Sequence, residues 1–248
     1  MTEATPQHPD ELIEPAPHAE EPTPQQPAPM IIAEGLDLGT GELRVLAGLD
    51  FEVGADRLAV IIGPAGTGKS ALLAAIVGRF TGLRGRIEVA GLDPARQSRQ
   101  LRKITTVARL GSFVDLEPKH SITDALSERA AIEGIRPRQA ERAYDELTDL
   151  LDLDLDPGQL IDDLDGYQRA ALTVILAMLR PSSVLVLDDA HRDLTIDDQH
   201  RLLGRLVDLA GRTTTTIVVS TVEPTTIPYE AVRIDLPELG KTRTHPSR

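Results

Sequence analysis

The chain has 248 residues, 26% of them charged, and a formal net charge of −13. This length fits one substantial domain or two small ones. The negative charge argues against nucleic-acid binding, which depends on basic surface patches. The absence of cysteine excludes a disulfide framework and thiolate metal sites. No apolar run reaches the roughly 18 to 20 residues that a membrane-spanning helix needs, so we expect a soluble protein that reaches a membrane only through a partner.

Both ends of the chain are predicted to lie outside the folded domain. Residues 1–29 hold eight prolines and six acidic residues, with no lysine or arginine. Such a composition cannot bury a core, so a disordered tail is predicted there. Residues 237–248 have the composition of a polar tail. The folded part is therefore expected to span residues 30–236.

The folded part is expected to begin with short strands separated by glycine-rich turns such as Gly39-Thr40-Gly41. Runs of β type occur at Met30 to Ala33, Arg44 to Leu46 and Leu49 to Val53. A buried strand is predicted at Leu58 to Ile62, because five consecutive apolar residues there include several β-branched ones. A helix is predicted to follow from Ala71 to about Arg79.

A glycine-rich segment lies between that strand and that helix. It fits the phosphate-loop pattern G-x-x-x-x-G-K-[ST] without a mismatch, and its residues are Gly63, Pro64, Ala65, Gly66, Thr67, Gly68, Lys69 and Ser70. Glycines let backbone N–H groups turn inward around a phosphate, and the start of the helix adds its positive end. We expect Lys69 to reach the outer phosphates and the Ser70 hydroxyl to bind Mg²⁺. A structural glycine turn in front of a helix is the alternative.

The middle of the chain changes from a strand pattern to a helix pattern. Further strands are predicted at residues 85–91, 104–108, 216–221 and 232–236. Between them, one helix is expected to start at a Thr123 cap and to end before Gly134, and Pro137 is expected to begin a second helix that reaches Leu151. These helices form part of a helical insert at about residues 121–180 in an otherwise α/β pattern.

A strand that ends in two carboxylates follows the insert. An apolar run at Val184 to Leu187, preceded by a helix predicted at Gly166 to Leu179, leads directly to Asp188 and Asp189. A phosphate-loop enzyme needs such an acid to hold Mg²⁺ opposite Ser70, and Asp188 is the candidate. The alternative is an ordinary buried strand followed by an acidic loop.

The order of these parts resembles an ATP-binding cassette (ABC) nucleotide-binding domain over about residues 30–236. A short glycine–glutamine element, Leu164-Asp165-Gly166-Tyr167-Gln168, matches three of the five positions of the family signature L-S-G-G-Q. The resemblance implies an α/β fold of the P-loop NTPase type, with a mixed central sheet, an antiparallel β subdomain and an inserted helical subdomain. It also implies dimers in which ATP lies between the phosphate loop of one subunit and Asp165, Gly166 and Gln168 of the other.

Several residues depart from the family pattern at positions that serve hydrolysis. Asp165 replaces the signature serine and would repel a γ-phosphate, and the Tyr167 side chain replaces a glycine and is expected to hinder close backbone approach. Asp189 stands where the catalytic base is usually a glutamate. Thr221 stands where the switch histidine is expected, and His191 is a candidate substitute for that histidine.

Three further family features are missing. The glutamine expected after the strand at 104–108 falls near Arg109 or Ser112, and neither is glutamine. No aromatic residue that could stack on adenine lies between Leu36 and Leu43. Thr195 stands where an aspartate usually faces the dimer partner, although Asp193 and Asp197 are close to it in the sequence.

The intact loop and Asp188 predict binding of ATP with Mg²⁺, whereas the changed residues predict that hydrolysis is slow or absent in a homodimer. The resemblance implies the ATP-binding subunit of an ABC-type membrane transporter, with Asp189 and Lys69 as catalytic residues. Such a subunit would be cytoplasmic and held at the inner face of the cell membrane by a transmembrane permease subunit on another chain. A heterodimer is a variant, in which a second cassette offers a good signature to this loop and makes hydrolysis partner-dependent.

Two other functions stay open at this point. A non-transport regulator that uses ATP binding as a switch is favoured by the changed hydrolytic residues. Another phosphate-loop enzyme is the third option, although a GTPase is disfavoured because the guanine-reading N-K-x-D motif requires asparagine and the chain has none.

Overall fold

The computed structural model describes residues 29–40, 43–111 and 114–237. The strands in chain order are β1 (Pro29–Thr40), β2 (Leu43–Gly54), β3 (Leu58–Ile62), β4 (Leu83–Val89), β5 (Thr105–Arg109), β6 (Val184–Leu187), β7 (Thr216–Thr221) and β8 (Val232–Asp235). The helices are α1 (Lys69–Ile76), α2 (Ser98–Ile104), α3 (Ile122–Glu133), α4 (Pro137–Leu151), α5 (Gly166–Met178) and α6 (Ile196–Thr213). The two predicted tails lie almost wholly outside the described residues, although Pro29, assigned above to the first tail, begins β1.

Five strands form a parallel sheet in the order β5-β6-β7-β3-β8. Every residue of β3, β6 and β7 is buried, as expected for parallel strands that are covered on both faces. The predictions of strands at Leu58–Ile62 and Val184–Leu187 are confirmed residue for residue. Because parallel strands end at one edge of a sheet, the segments after β3, β6 and β7 meet at that edge.

Three strands form a separate antiparallel sheet in the order β2-β1-β4. The short β runs predicted here belong to two long strands, β1 and β2, of 12 residues each. Gly39, predicted to lie in a turn, is part of β1 and pairs with Arg44. Gly85 sits where β4 crosses β1 closely: its φ is +79°, and a Cβ atom there would overlap the carbonyl oxygen of Gly35. This position therefore favours glycine.

The helical insert begins with a cap that differs from the prediction. Ser121, not Thr123, caps α3, because the Asp124 N–H donates to the Ser121 hydroxyl over 3.1 Å and the Asp124 carboxylate accepts the Ser121 N–H. The Thr123 hydroxyl instead donates to the carbonyl of Pro157. The predicted stop at Gly134 (φ +67°) and the start of α4 at Pro137 are confirmed.

Two helices were not predicted from the sequence, and a third, α1, is shorter than predicted. Helix α1 stops at Ile76, before the predicted end at Arg79, because Gly78 adopts φ +65° just after it. Helices α2 and α6 had no counterpart in the prediction. In α6 the apolar residues recur at intervals of three and four, which is the spacing of one helix face. These residues form the buried face of the helix: Leu202, Leu203, Leu206, Leu209 and Ala210.

The parallel sheet has a hydrophobic core on each face. One core joins the sheet to α1, α2 and the antiparallel sheet. The other joins it to α3, α4, α5 and α6. Within the described parts of the chain, no helix is long and apolar enough to cross a membrane.

Candidate functional site

The glycine-rich loop connects the end of β3 to the start of α1. Gly66 has φ +82° and Gly68, the cap of α1, has φ +94°, so the loop uses backbone conformations that favour glycine. A Cβ atom on Gly66 would meet nothing within 4 Å, so its positive φ rather than crowding is what favours glycine there. No side chain caps α1, and its first turn holds no acidic residue. The N–H groups at this helix start are therefore free to bind an anion.

The Lys69 side chain stabilises the loop by hydrogen bonds to its backbone. Its side chain is buried, at 6% exposed, and its ammonium Nζ donates to the carbonyls of Gly63 at 2.8 Å and Pro64 at 3.0 Å. The Thr67 hydroxyl also donates to the Pro64 carbonyl, over 2.9 Å. Ser70, in contrast, is exposed. This arrangement fits a phosphate group, because a positive charge, free amides and an exposed hydroxyl lie in one short segment.

Asp188 follows β6 at the same edge of the sheet and is almost completely buried, at 1% exposed. Its Oδ1 accepts a hydrogen bond from the Ser220 hydroxyl at 2.5 Å, and its Oδ2 accepts one from the Gly111 N–H at 3.1 Å. Oδ1 also accepts the Asp189 N–H at 3.2 Å. Because each carboxylate oxygen has about two acceptor positions, Oδ2 is the oxygen that keeps capacity for a metal ion. Only β7 lies between β6 and β3 in this sheet, so the strands that lead to Asp188 and to the loop are about 10 Å apart.

Asp189 lies in a left-handed turn, with φ +48°. Its N–H donates to the Ser220 hydroxyl at 2.9 Å, and its carbonyl accepts from the Arg109 guanidinium at 2.6 Å. Arg109 also donates to the Asp188 carbonyl at 3.0 Å. No hydrogen bond or ion pair within the described segments uses the Asp189 carboxylate.

Two residues that hold these acids were missed in the sequence. Ser220 and Arg109 both lie at the carboxyl ends of parallel strands, and that position was the available signal. From the sequence, Arg109 is notable only as a position where the family's glutamine is absent. Ser112, the alternative position for that glutamine, lies outside the described residues.

The two candidates for the switch-histidine position, Thr221 and His191, differ in their hydrogen bonding. Thr221 is buried, and its hydroxyl accepts the N–H of Glu223 at 3.1 Å. In His191, Nδ1 is buried and has no hydrogen-bond partner among the described residues. Burial lowers the pKa of His191, the nearby Asp189 carboxylate raises it, and Lys69 lowers it further. His191 therefore lies within electrostatic reach of Lys69 and Asp189.

The signature-like element forms the start of α5 and caps it. The Gln168 N–H donates to the Asp165 carboxylate at 2.7 Å, and the Gln168 side chain accepts the Asp165 N–H at 3.1 Å. Gly166 packs so closely on the loop after β6 that a Cβ atom would overlap the Asp193 carbonyl oxygen. Among the described residues, no hydrogen bond joins this element to the loop at 63–70.

The expectation that the Tyr167 side chain obstructs the signature is wrong. The residue is buried, and its hydroxyl donates to the Leu151 carbonyl at 3.0 Å. The Arg201 guanidinium lies 4.1 Å from the centre of the ring. The side chain turns inward because the first turn of α5 points it into the packing between α4 and α6.

Comparison with known proteins agrees with this arrangement. The family model described as "ABC transporter" matches residues 46–192, more than half of the chain. The chain belongs to the ABC transporter family. Membership implies nucleotide binding, and the matched range of this ABC cassette contains the glycine-rich loop, Asp188 and the signature-like element.

Two relatives and one solved structure illustrate the similarity. The Nod factor export ATP-binding protein I of Rhizobium etli is 26% identical, with 73% of this chain and 56% of the relative covered. A putative ABC transporter ATP-binding protein of Streptomyces avermitilis is 32% identical, with 67% and 31% covered. The cassette thus spans little more than half of the first relative and under a third of the second. The structure of CbiO1 from Clostridium perfringens, described as part of the ABC transporter complex CbiONQ, superposes with a TM-score of 0.69 at 17% identity, covering 83% of this chain and 84% of that one.

Proposed function

We propose that this chain is the ATP-binding subunit of an ABC-type membrane transporter and that it binds ATP with Mg²⁺ at the loop from Gly63 to Ser70. The observation that carries the proposal is the buried Lys69 ammonium in the first turn of α1, a helix whose start has no side-chain cap. The exchange of its two carbonyl contacts for phosphate oxygens would bring the positive charge to the nucleotide. Thr67 and the glycines would supply the backbone turn around the phosphates.

Ser70 and Asp188 are the proposed ligands of the metal ion. No group of three or more metal-ligating side chains occurs within the described ranges, so these two would share the ion with phosphate and water oxygens, as Mg²⁺ commonly does. The ion would neutralise charge that develops on the phosphates. Asp189 would accept a proton from the attacking water.

Slow or partner-dependent hydrolysis is part of the proposal. Asp189 is one methylene shorter than glutamate, the Thr221 hydroxyl is already engaged by Glu223, and the Asp165 carboxylate would face the phosphate of a partner subunit. The test compares ATP turnover of the purified chain with that of Lys69→Ala. Brisk turnover that depends on Lys69, without any partner, would contradict slow hydrolysis.

The proposed partners are a transmembrane permease subunit on another chain and a second cassette, in a homodimer or a heterodimer. The relatives named above, which are described as export or transporter ATP-binding proteins, support this part of the proposal. The chain would then act at the cytoplasmic face of the membrane. Affinity purification from solubilised membranes should recover a multi-spanning protein, and recovery of a second cassette would favour the heterodimer.

A second candidate is a non-transport regulator that uses ATP binding alone as a switch. The observation that favours it is the capping box of Asp165 and Gln168, which engages this carboxylate within the chain. By the family resemblance, residue 165 would otherwise be a serine whose hydroxyl donates a hydrogen bond to the γ-phosphate. This function predicts that the same purification recovers partners without any multi-spanning protein.

A further inference from the structure

We propose that Arg109 is a positioning residue that fixes the Asp188–Asp189 turn from the neighbouring strand. The inference rests on the proposed function, since it concerns how the two acids are held for the metal ion and for water. Arg109 is the last residue of β5 and is 4% exposed. Its Nε donates to the Asp188 carbonyl at 3.0 Å and its second terminal nitrogen donates to the Asp189 carbonyl at 2.6 Å.

The backbone around Arg109 binds the same turn. The Asp188 N–H donates to the Arg109 carbonyl at 3.0 Å, and the Gly111 N–H donates to Asp188 Oδ2 at 3.1 Å. The pairing of β5 with β6 changes register between Val107 and Arg109. An irregularity of this kind redirects a side chain at the end of a strand, and here the arginine lies against the turn after β6.

A buried charge is costly unless it is hydrogen-bonded and compensated. The two carbonyls supply hydrogen bonds, and the carboxylates of Asp115, Asp189 and Asp188 lie close enough to favour the charged guanidinium. The nearby Arg192, which forms an ion pair with Asp115 at 2.9 Å, opposes this effect. Burial lowers the pKa of Arg109, but arginine starts so far above neutrality that the group stays charged. The flat guanidinium can bond two carbonyls at once, which a lysine ammonium does with less geometric control.

The held turn matters because Asp189 is in an uncommon conformation. Its φ of +48° is disfavoured for a residue with a side chain and persists where surroundings enforce it. Because nothing in the described part of the chain holds the Asp189 carboxylate, its direction depends on the backbone that Arg109 and Ser220 fix. Loss of Arg109 would release this backbone and also shift Asp188.

The test uses the full chain with Arg109→Met, which keeps length but removes charge and donors, and with Arg109→Lys. The exposed Arg99→Met is the matched control. Amide hydrogen exchange of residues 188–192 should become about tenfold faster in Arg109→Met while exchange of α1 stays unchanged. ATP affinity without Mg²⁺ should be kept, and the gain in affinity that Mg²⁺ provides should fall about tenfold, as for other residues that orient metal ligands.

Arg109→Lys should give intermediate values, and it carries the test if Arg109→Met does not fold. A general loss of stability would speed exchange in α1 as well and leave the Mg²⁺-dependent gain intact, and that result would also overturn the inference. Unchanged exchange at 188–192 in a folded variant whose ATP binding is normal would overturn the inference alone. Failure of the unaltered chain to bind ATP would overturn the proposed function. The Asp188–Asp189 turn would then have no metal site to support.

Discussion

The Ser220 hydroxyl of β7 donates to the carboxylate of Asp188 after β6, over 2.5 Å. Ser220 is completely buried, and the same hydroxyl oxygen accepts the N–H of Asp189 at 2.9 Å. One side chain therefore fixes the orientation of the candidate metal ligand and the conformation of the candidate base. This relationship joins two neighbouring strands at the edge of the sheet that holds the phosphate loop.

Replacement of Ser220 by alanine should destabilise the protein and reduce the gain in ATP affinity that Mg²⁺ provides. The buried Asp188 carboxylate loses the Ser220 hydroxyl, a hydrogen bond to a charged group that is worth about 1.5 to 3 kcal/mol. The Asp189 N–H keeps only its longer contact to Asp188 Oδ1, at 3.2 Å. Urea unfolding and ATP affinity with and without Mg²⁺ measure both effects. The exposed Ser127→Ala is the control and should change stability by less than about 0.5 kcal/mol. Wild-type stability and Mg²⁺ dependence in Ser220→Ala would show that the hydrogen bond has no such role.

Replacement of Asp165 by serine should raise ATP turnover several-fold without loss of stability. Serine also caps a helix, so the cap of α5 is kept, while the carboxylate that repels a phosphate is removed. Asp165→Ala, in comparison, should cost about 1 kcal/mol of stability because the Gln168 N–H loses its acceptor. Steady-state turnover and thermal unfolding of the two variants make the comparison. Equal turnover in Asp165→Ser and wild type would mean that this carboxylate does not limit hydrolysis.

The Tyr167 side chain should matter for folding but not for nucleotide binding. Tyr167→Phe removes only the hydrogen bond to Leu151 and should cost about 1 kcal/mol. Tyr167→Gly, which restores the family glycine, also empties a buried site and should cost at least about 3 kcal/mol. ATP affinity of the folded Tyr167→Phe should equal that of the wild type. A large change in that affinity would place the side chain at the nucleotide after all.

Stability should depend on pH through His191. Burial holds the pKa of His191 below the ordinary value. As the pH falls below about 6.5, His191 therefore binds a proton more readily in the unfolded chain than in the folded chain. The contribution to stability is thus complete above that pH and is lost as the pH falls toward the lowered pKa. Urea unfolding at about pH 7.5 and about pH 5.5 should show a smaller decrease in His191→Gln than in wild type, by at most about 1.4 kcal/mol per pH unit. The exposed His200→Gln is the control, and identical slopes in wild type and His191→Gln would refute the assignment.

The sequence predicted the features that depend on local pattern. The loop at 63–70, the β3 and β6 strands and the Pro137 start of α4 follow from short motifs, apolar runs and helix-start chemistry, so they could be predicted without knowledge of the fold. The end of α3 at Gly134 follows for the same reason.

The features that depend on contacts between distant segments could not be predicted in this way. Ser220 and Arg109 acquire their roles only when β7 and β5 lie on either side of β6. The inward direction of Tyr167 depends on where α5 packs, and the choice of Ser121 over Thr123 as a cap depends on the Thr123 contact with Pro157. Pattern identifies the elements, whereas packing decides which side chains share a site.

The most direct test of the central claim is the equilibrium affinity of the chain for ATP with Mg²⁺, measured by calorimetry on the wild type, Lys69→Ala and the exposed-lysine control Lys103→Ala. The buried Lys69 ammonium makes charge-assisted hydrogen bonds worth about 1.5 to 3 kcal/mol, so its loss should weaken binding roughly 10- to 100-fold. The control should bind as the wild type does. Equal affinity in Lys69→Ala and wild type, or no binding by the wild type, would contradict the assignment of the loop as the nucleotide site.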